Sequence, residues 1–194
     1  MSDGAGTDLV DLVLPPAKRK AHETLSPAEK DIEEKGSSES DQVWGVDSFD
    51  GSGWDSSDEV PVDEEELEFY RYLRHLYKSR GFLLDKEMMP KNLFQGFHRL
   101  SLDAFFKLPD LTGRDYMKVM AQVAVDKYNK TENKTLTLDH IVRAVIRMST
   151  GVKAYITFMA RESPGGELVE YQAKTEKVWQ ENIHAILCRP APKD

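Results

Sequence analysis

Hydrophobic and polar positions alternate with two different periods along this chain, and these periods predict its helices and strands. Between Glu64 and Arg80, apolar residues recur three and four positions apart, which places them on one face of a helix. That face comprises Leu67, Tyr70, Leu73, Leu76 and Tyr77. Acidic residues crowd the first turn and basic residues the last, as the helix dipole favours, and Gly81 stands where a helix stop is expected. We therefore predict a helix over 64–80.

The clearest helical pattern runs from Leu111 to Lys130. Its apolar stripe consists of Tyr116, Met120, Val123 and Tyr128, with Val119 and Ala124 beside it. Because Ala121 and Ala124 are small, we expect this helix to lie close against a sheet. Residues 82–110 are mixed, and we predict a loop over 88–94 and a short element over 100–106.

Alternation with a period of two predicts strands in the last third of the chain. The strands are expected at 154–160, 168–174 and 183–187, with a Pro-Gly-Gly hairpin connection at 163–167 between the first two. Both alternating sets of the first strand contain residues that favour strands. Residues 138–148 stay ambiguous, because Ile141, Val142, Val145 and Ile146 also fit one face of a helix.

Charge divides the chain into an acidic arm and a basic remainder. Residues 21–69 hold 17 acidic and two basic side chains, whereas residues 70–194 hold 14 acidic and 21 basic ones. The overall net charge of -8 is therefore the sum of a strongly negative part and a positive part. The arm is also rich in Ser and Gly, a composition typical of disorder. We predict a disordered acidic arm over 1–62, an extra N-terminal helical segment over 63–111 and a folded domain over 112–194. Contact between the arm and the domain should weaken with salt.

Several classes of function are excluded by the residues that the sequence lacks. No apolar run approaches the ~20 residues of a membrane helix, and the N-terminus does not have the pattern of a secretory signal. We therefore expect an intracellular protein of the cytoplasm or nucleus. One cysteine, five scattered histidines and no phosphate-binding glycine loop predict no enzyme, no metal and no cofactor. Cys188 with His184 or His140 is the alternative nucleophile pair, but a buried apolar role is more typical of a lone cysteine.

The second helix and the residues that follow it resemble the plant cystatins, which inhibit papain-type cysteine proteases. The segment Met120-Ala-Gln-Val-Ala-Val-Asp-Lys-Tyr-Asn129 resembles the family's helix motif, matching it at Ala121, Ala124, Val125 and Asn129. Without a gap, the family pattern then runs to Gly151, and Tyr171-Gln-Ala-Lys174 resembles the family's Tyr-Glu-Ala-Lys strand start. The resemblance covers roughly residues 112–189. The preceding segment is similar to that of plant cystatin-related proteins with an added N-terminal part.

The resemblance implies an α+β fold in which one long helix packs across a four- to five-stranded antiparallel sheet. It thereby assigns residues 138–148 to a strand. It also implies that partners are papain-type cysteine proteases, whose active-site cleft a family member fills with two hairpin loops and an N-terminal segment. The family's N-terminal glycine has no clear equivalent here; Gly113 is too close to the helix, which leaves Gly96 as the candidate.

The family's Gln-x-Val-x-Gly hairpin falls on a degenerate stretch of this chain. The stretch is Arg147-Met148-Ser149-Thr150-Gly151, and Trp179 lies near the family's second-loop tryptophan, with Val178 in place of Pro. Ser149 in place of Val loses roughly 1 kcal/mol of apolar contact. Arg147 in place of Gln brings a cation whose burial without a partner costs several kcal/mol. The expected inhibition is therefore weakened, and the alternative is a protein-interaction module that does not inhibit.

Two features of the arm leave its role open. Trp44, Phe49 and Trp54 lie among acidic residues, as in segments that fold on binding other proteins, whereas the composition alone favours a solubilising tail. Lys18-Arg-Lys20 is a candidate nuclear import signal, although three-residue basic runs are frequent by chance. The excess of seven positive charges over residues 70–194 is modest, so we do not expect nucleic acid as a partner.

Overall fold

A computed structural model describes residues 43–49, 63–91, 96–106 and 110–193, which belong to one compact unit. Its helices are α1 (Glu64–Ser79) and α2 (Gly113–Glu132), and a 3-10 turn spans Lys86–Met88. The strands are β1 (Phe97–Arg99), β2 (Thr137–Met148), β3 (Gly151–Arg161), β4 (Leu168–Val178) and β5 (Ile183–Pro190). All neighbouring strands are antiparallel, in the order β1-β2-β3-β4-β5. The predicted α+β class, with a helix packed on an antiparallel sheet, is confirmed.

Helix α2 packs against one face of the sheet and begins at a capping box. The Thr112 side chain accepts a hydrogen bond from the Asp115 N–H, and the Asp115 carboxylate accepts one from the Thr112 N–H. The buried face differs from the predicted stripe, because Tyr116, Val123 and Tyr128 are only partly buried flanks. The residues fully buried against the sheet are Met117, Met120, Ala121, Ala124 and Val125. Ala121 and Ala124 are both fully buried on the face that meets the sheet.

The turn between α2 and β2 is held by one side chain. The Asn129 side-chain amide donates to the Leu136 carbonyl at 2.8 Å, and its oxygen accepts from the Leu136 N–H at 2.7 Å. Asn129 therefore pairs both backbone groups of a residue that is 4 % exposed. The ambiguous residues 138–148 lie in β2, so the strand assignment is confirmed. Ile141, Ala144 and Ile146 contact the α2 side, whereas Val145 faces the opposite side.

The opposite face of the sheet is also covered, and we call its buried cluster the outer core. It consists of Tyr72, Leu76, Phe82, Leu84, Phe97, Val145, Tyr155 and Leu187. Helix α1 starts at the predicted place, with Asp63 capping it, and ends at Ser79, one residue earlier than predicted, with Arg80 as its C-cap in the left-handed conformation (φ 50°). The predicted apolar stripe is wrong at its ends, because Leu67 and Tyr77 are exposed. Leu76 is buried as predicted, and Tyr72, which lies outside the predicted stripe, is buried as well, since this face meets the aromatic rings around Tyr155.

The short element predicted at 100–106 lies elsewhere. The strand β1 precedes it at Phe97–Arg99, and within 100–106 only Phe105 forms a bridge, to Thr112. Phe97 pairs with Arg147 of β2, and its N–H and carbonyl both bond the hydroxyl of Tyr72. Thus the segment predicted as an N-terminal addition (63–111) shares a sheet with the predicted 112–194 domain.

Part of the predicted acidic arm lies on the folded unit. Residues 43–49 differ from the expected disorder, because Trp44 packs against the α2-side core and Phe49 against the outer core. This burial supplies apolar contact that composition alone does not reveal. The remaining residues of the arm, including Lys18-Arg-Lys20 and Trp54, lie outside the described residues.

Candidate functional site: the hairpin end of the sheet

The predicted first hairpin is present as a tight connection between β2 and β3. Strand β2 ends at Met148 and β3 begins at Gly151, so Ser149 and Thr150 form the turn. The Ser149 N–H donates to the Gly151 carbonyl at 3.1 Å. Met148, Ser149 and Thr150 are exposed, and the Met148 residue is 43 % exposed. The turn therefore presents one thioether and two hydroxyl side chains to solvent.

Trp179 lies beside this turn, at the start of the loop between β4 and β5. Its N–H donates to the Thr150 carbonyl in a long hydrogen bond of 3.5 Å, and the residue is 50 % exposed. The structure thus brings the two sequence-predicted loops together at one end of the sheet. We call this region, residues 96, 147–151 and 178–182, the hairpin end.

Gly151 is required here for close approach between backbones. A Cβ atom at this position would lie 2.1 Å from the Lys177 carbonyl oxygen and 2.7 Å from the Val178 Cα, distances that no side chain tolerates. Gly151 does not adopt a positive φ, so the backbone conformation is not what requires a glycine here. The glycine lets β3 pass against the end of β4, which sets the position of Trp179.

Arg147 points toward the outer core. Its guanidinium carbon lies 5.6 Å from the centre of the Phe97 ring. Burial raises the pKa of the nearby Tyr72 hydroxyl, and the hydrogen bond to Phe97 and the charge of Arg147 offset part of that rise. On the neighbouring strands, Lys153 and Glu176 form an ion pair at 3.5 Å, with both side chains 14 % exposed. Because the Arg147 guanidinium lies over the Phe97 ring, it is part of the packing of this sheet face. The free-energy cost expected for an unpaired buried cation does not arise in the free protein.

The candidate N-terminal glycine also lies at this end. Gly96 has a positive φ of 124° and directly precedes Phe97, whose partner across the strands is Arg147. The register therefore places Gly96 next to Met148 at the edge of the hairpin. Gly113 instead begins helix α2.

The alternative nucleophile, Cys188, has the environment of a core residue. It is 6 % exposed within the α2-side cluster, and burial raises the pKa of its thiol to about 12. His140 bonds the Asp139 carboxylate at 2.6 Å. Within the described ranges, no three His, Cys, Asp or Glu side chains come together as metal ligands.

No known protein-family model matches this sequence, and no curated protein matches it closely enough to count as a relative. Neither helix in the described part of the chain is long and apolar enough to span a bilayer.

Proposed function

We propose that this chain is a cystatin-like protein that inhibits papain-type cysteine proteases weakly, by inserting its hairpin end into the active-site cleft. The observation that carries the proposal is the contact between the Trp179 N–H and the Thr150 carbonyl, which joins the two loops into one edge. The architecture, an antiparallel sheet of five strands with one helix packed across β2 to β5, supports the same proposal.

The residues of this edge also set the strength of binding. Trp179 supplies a half-exposed aromatic anchor, the kind of side chain that dominates many interfaces. Ser149 offers a hydroxyl where an apolar side chain fills the cleft best, and Arg147 is held over Phe97 instead of reaching toward a partner. A weak, competitive inhibitor is the expected result.

The decisive measurement is a competitive inhibition constant for the full chain against an active-site-titrated papain-type protease, with a fluorogenic peptide as substrate. Trp179→Ala should weaken inhibition about fivefold or more, because truncation of an interface anchor costs more than ~1 kcal/mol. Leu168→Ala is the matched control, since Leu168 is an exposed apolar residue at the opposite end of β4. The proposal fails if the intact chain gives no inhibition at tens of micromolar, or if both variants weaken it equally.

A gain-of-function pair tests the turn itself. Ser149→Val restores apolar contact of roughly 1 kcal/mol, so it should tighten inhibition about fivefold. Ser163→Val makes the same change in the exposed turn at the other end of the sheet and should have no effect. Equal responses of the two variants would show that the turn at 149 does not enter the cleft.

The engagement of Arg147 with Phe97 favours a second candidate function, an interaction module that does not inhibit proteases. Such a module acts in the nucleus if Lys18-Arg-Lys20 directs import. A fluorescent fusion should then lose nuclear accumulation on combining Lys18→Ala with Arg19→Ala. A fusion that stays cytosolic, with or without these changes, removes the nuclear candidate.

A further inference from the structure

Residues 43–49, here called the strap, cross the outer edge of β5 and reach both faces of the sheet. The Gly45 N–H donates to the Ile186 carbonyl at 2.9 Å, at the edge of the last strand. On one side of this edge Trp44 packs against the α2-side core, and on the other side Phe49 packs into the outer core. The strap therefore contacts the domain as a bound peptide does, through one backbone bond and two aromatic anchors.

Each anchor has a defined socket. The Lys127 Nζ lies 4.7 Å from the centre of the Trp44 ring and also donates to the Ala185 carbonyl at 3.2 Å. The Phe49 ring stacks on Phe97, with centroids 5.4 Å apart, and meets the edges of Tyr155 and Tyr77. Both sockets are made by residues of the helices and strands, so they do not depend on the strap for their construction.

Cations line the path between the sockets. Asp47 accepts a hydrogen bond from Arg80 at 2.6 Å and forms an ion pair with Arg189 at 2.9 Å, and its side chain is 13 % exposed. Lys174, which is fully buried, donates to the Ser48 carbonyl. Charge-assisted bonds of this kind select a carboxylate at one position of the peptide.

We call the two sockets and the cations between them, Arg80, Lys174 and Arg189, the track. The strap does not make every contact that the track offers. The second carboxylate oxygen of Asp47 is buried without a hydrogen-bond partner, and Val43 and Val46 are 69 % and 53 % exposed. Within the described residues, Gly45–Ile186 is the one backbone bond between the strap and the β5 edge. A peptide bound mainly by two side-chain sockets and one carboxylate can be exchanged for another of the same pattern.

We infer that this track is a peptide-binding site, occupied in the free protein by the strap, that takes an acidic segment of a partner protein. The segment carries two aromatic residues five positions apart, with a carboxylate two positions before the second, as in Trp44-x-x-Asp47-x-Phe49. Four cations, Arg80, Lys127, Lys174 and Arg189, make the track complementary to such a segment. Because the strap is tethered, it competes at a high effective concentration and keeps the intact chain largely closed to the partner.

The test separates the strap from the rest of the chain and keeps all of residues 43–49. A site-specific protease sequence replaces residues 52–57 in the full chain, and the purified protein is then cut. A fluorescent peptide of residues 43–49 should bind the cut protein saturably and bind the uncut protein at least about tenfold more weakly, because the tether no longer favours the strap. The same peptide with alanine at both aromatic positions should not bind.

Charge variants of the cut protein provide matched controls. Arg189→Gln should weaken peptide binding roughly tenfold, whereas Arg161→Gln, which lies with Asp139 at a different place, should leave it unchanged. Far-UV circular dichroism before and after cutting establishes that the fold survives. The inference is overturned if the cut protein binds no peptide at hundreds of micromolar, or if the double-alanine peptide binds as tightly as the original.

Discussion

The hydroxyl of Tyr72 should be one of the most costly single groups to remove from this protein. It donates to the Phe97 carbonyl at 3.0 Å and accepts from the Phe97 N–H at 2.8 Å, and the two residues are 1 % and 4 % exposed. Tyr72→Phe keeps the ring in the outer core but leaves a buried N–H and a buried carbonyl without partners. At about 1–2 kcal/mol for each such group, we expect a loss of about 2–4 kcal/mol in the free energy of unfolding.

Urea denaturation followed by tryptophan fluorescence measures this change directly, and the melting temperature should fall by roughly 4–12 °C. Tyr77→Phe is the control, because Tyr77 lies on the same helix and is 51 % exposed. Hydrogen exchange at the Phe97 amide should accelerate in the Tyr72 variant alone. If the two variants differ by less than about 0.5 kcal/mol, the hydroxyl does not hold β1 to α1 and the reasoning is refuted.

Three further predictions concern a glycine, a side-chain bridge and a thiol. Gly151→Ala should lower the free energy of unfolding by about 3 kcal/mol, because its Cβ meets the Lys177 carbonyl. Gly165→Ala, at a φ of 74° in open space, should lower it by only about 1 kcal/mol. Urea unfolding that ranks the two variants in the opposite order contradicts the close-approach argument. Asn129→Ala should lose about 2 kcal/mol by orphaning both backbone groups of Leu136, and an unchanged unfolding midpoint would exclude the bridge. Burial raises the pKa of Cys188 from 9.0 to about 12, so the unfolded chain releases this proton first and stability falls as pH rises from 9 toward 12. Cys188→Ala should flatten that decline between pH 9 and 10.5, and identical slopes in the two proteins would disprove it.

Periodicity predicted the helices and most strands of this chain because their apolar positions recur over many residues. It predicted the middle of the buried face of α1 correctly, at Leu73 and Leu76, but it included the exposed Leu67 and Tyr77 and missed Tyr72. Only the aromatic rings contributed by distant strands, around Tyr155, decide which face is buried. Three-residue β1 was missed because so short a strand has no period to detect.

The candidate site, like the fold, was predicted in part from the sequence. The resemblance predicted the positions of the turn at Ser149–Thr150 and of Trp179, and the structure brings them together. It did not predict the contact of Arg147 with Phe97, because that ring comes from outside the part of the chain that the resemblance covers. The contacts of the strap were not predicted, although Trp44 and Phe49 were noted as aromatic residues in an acidic segment. The reason is that composition describes the arm as a whole and contains no information on where two of its side chains pack.

The backbone contact at Gly151 has a consequence for how related sequences should be classified. Any side chain at this position collides with the Lys177 carbonyl whether or not the protein ever meets a protease. Selection for the fold alone should therefore retain this glycine. Its presence in a sequence of this fold reports the packing of β3 against the end of β4, and evidence for protease binding has to come from the exposed side chains of 148–150 and Trp179.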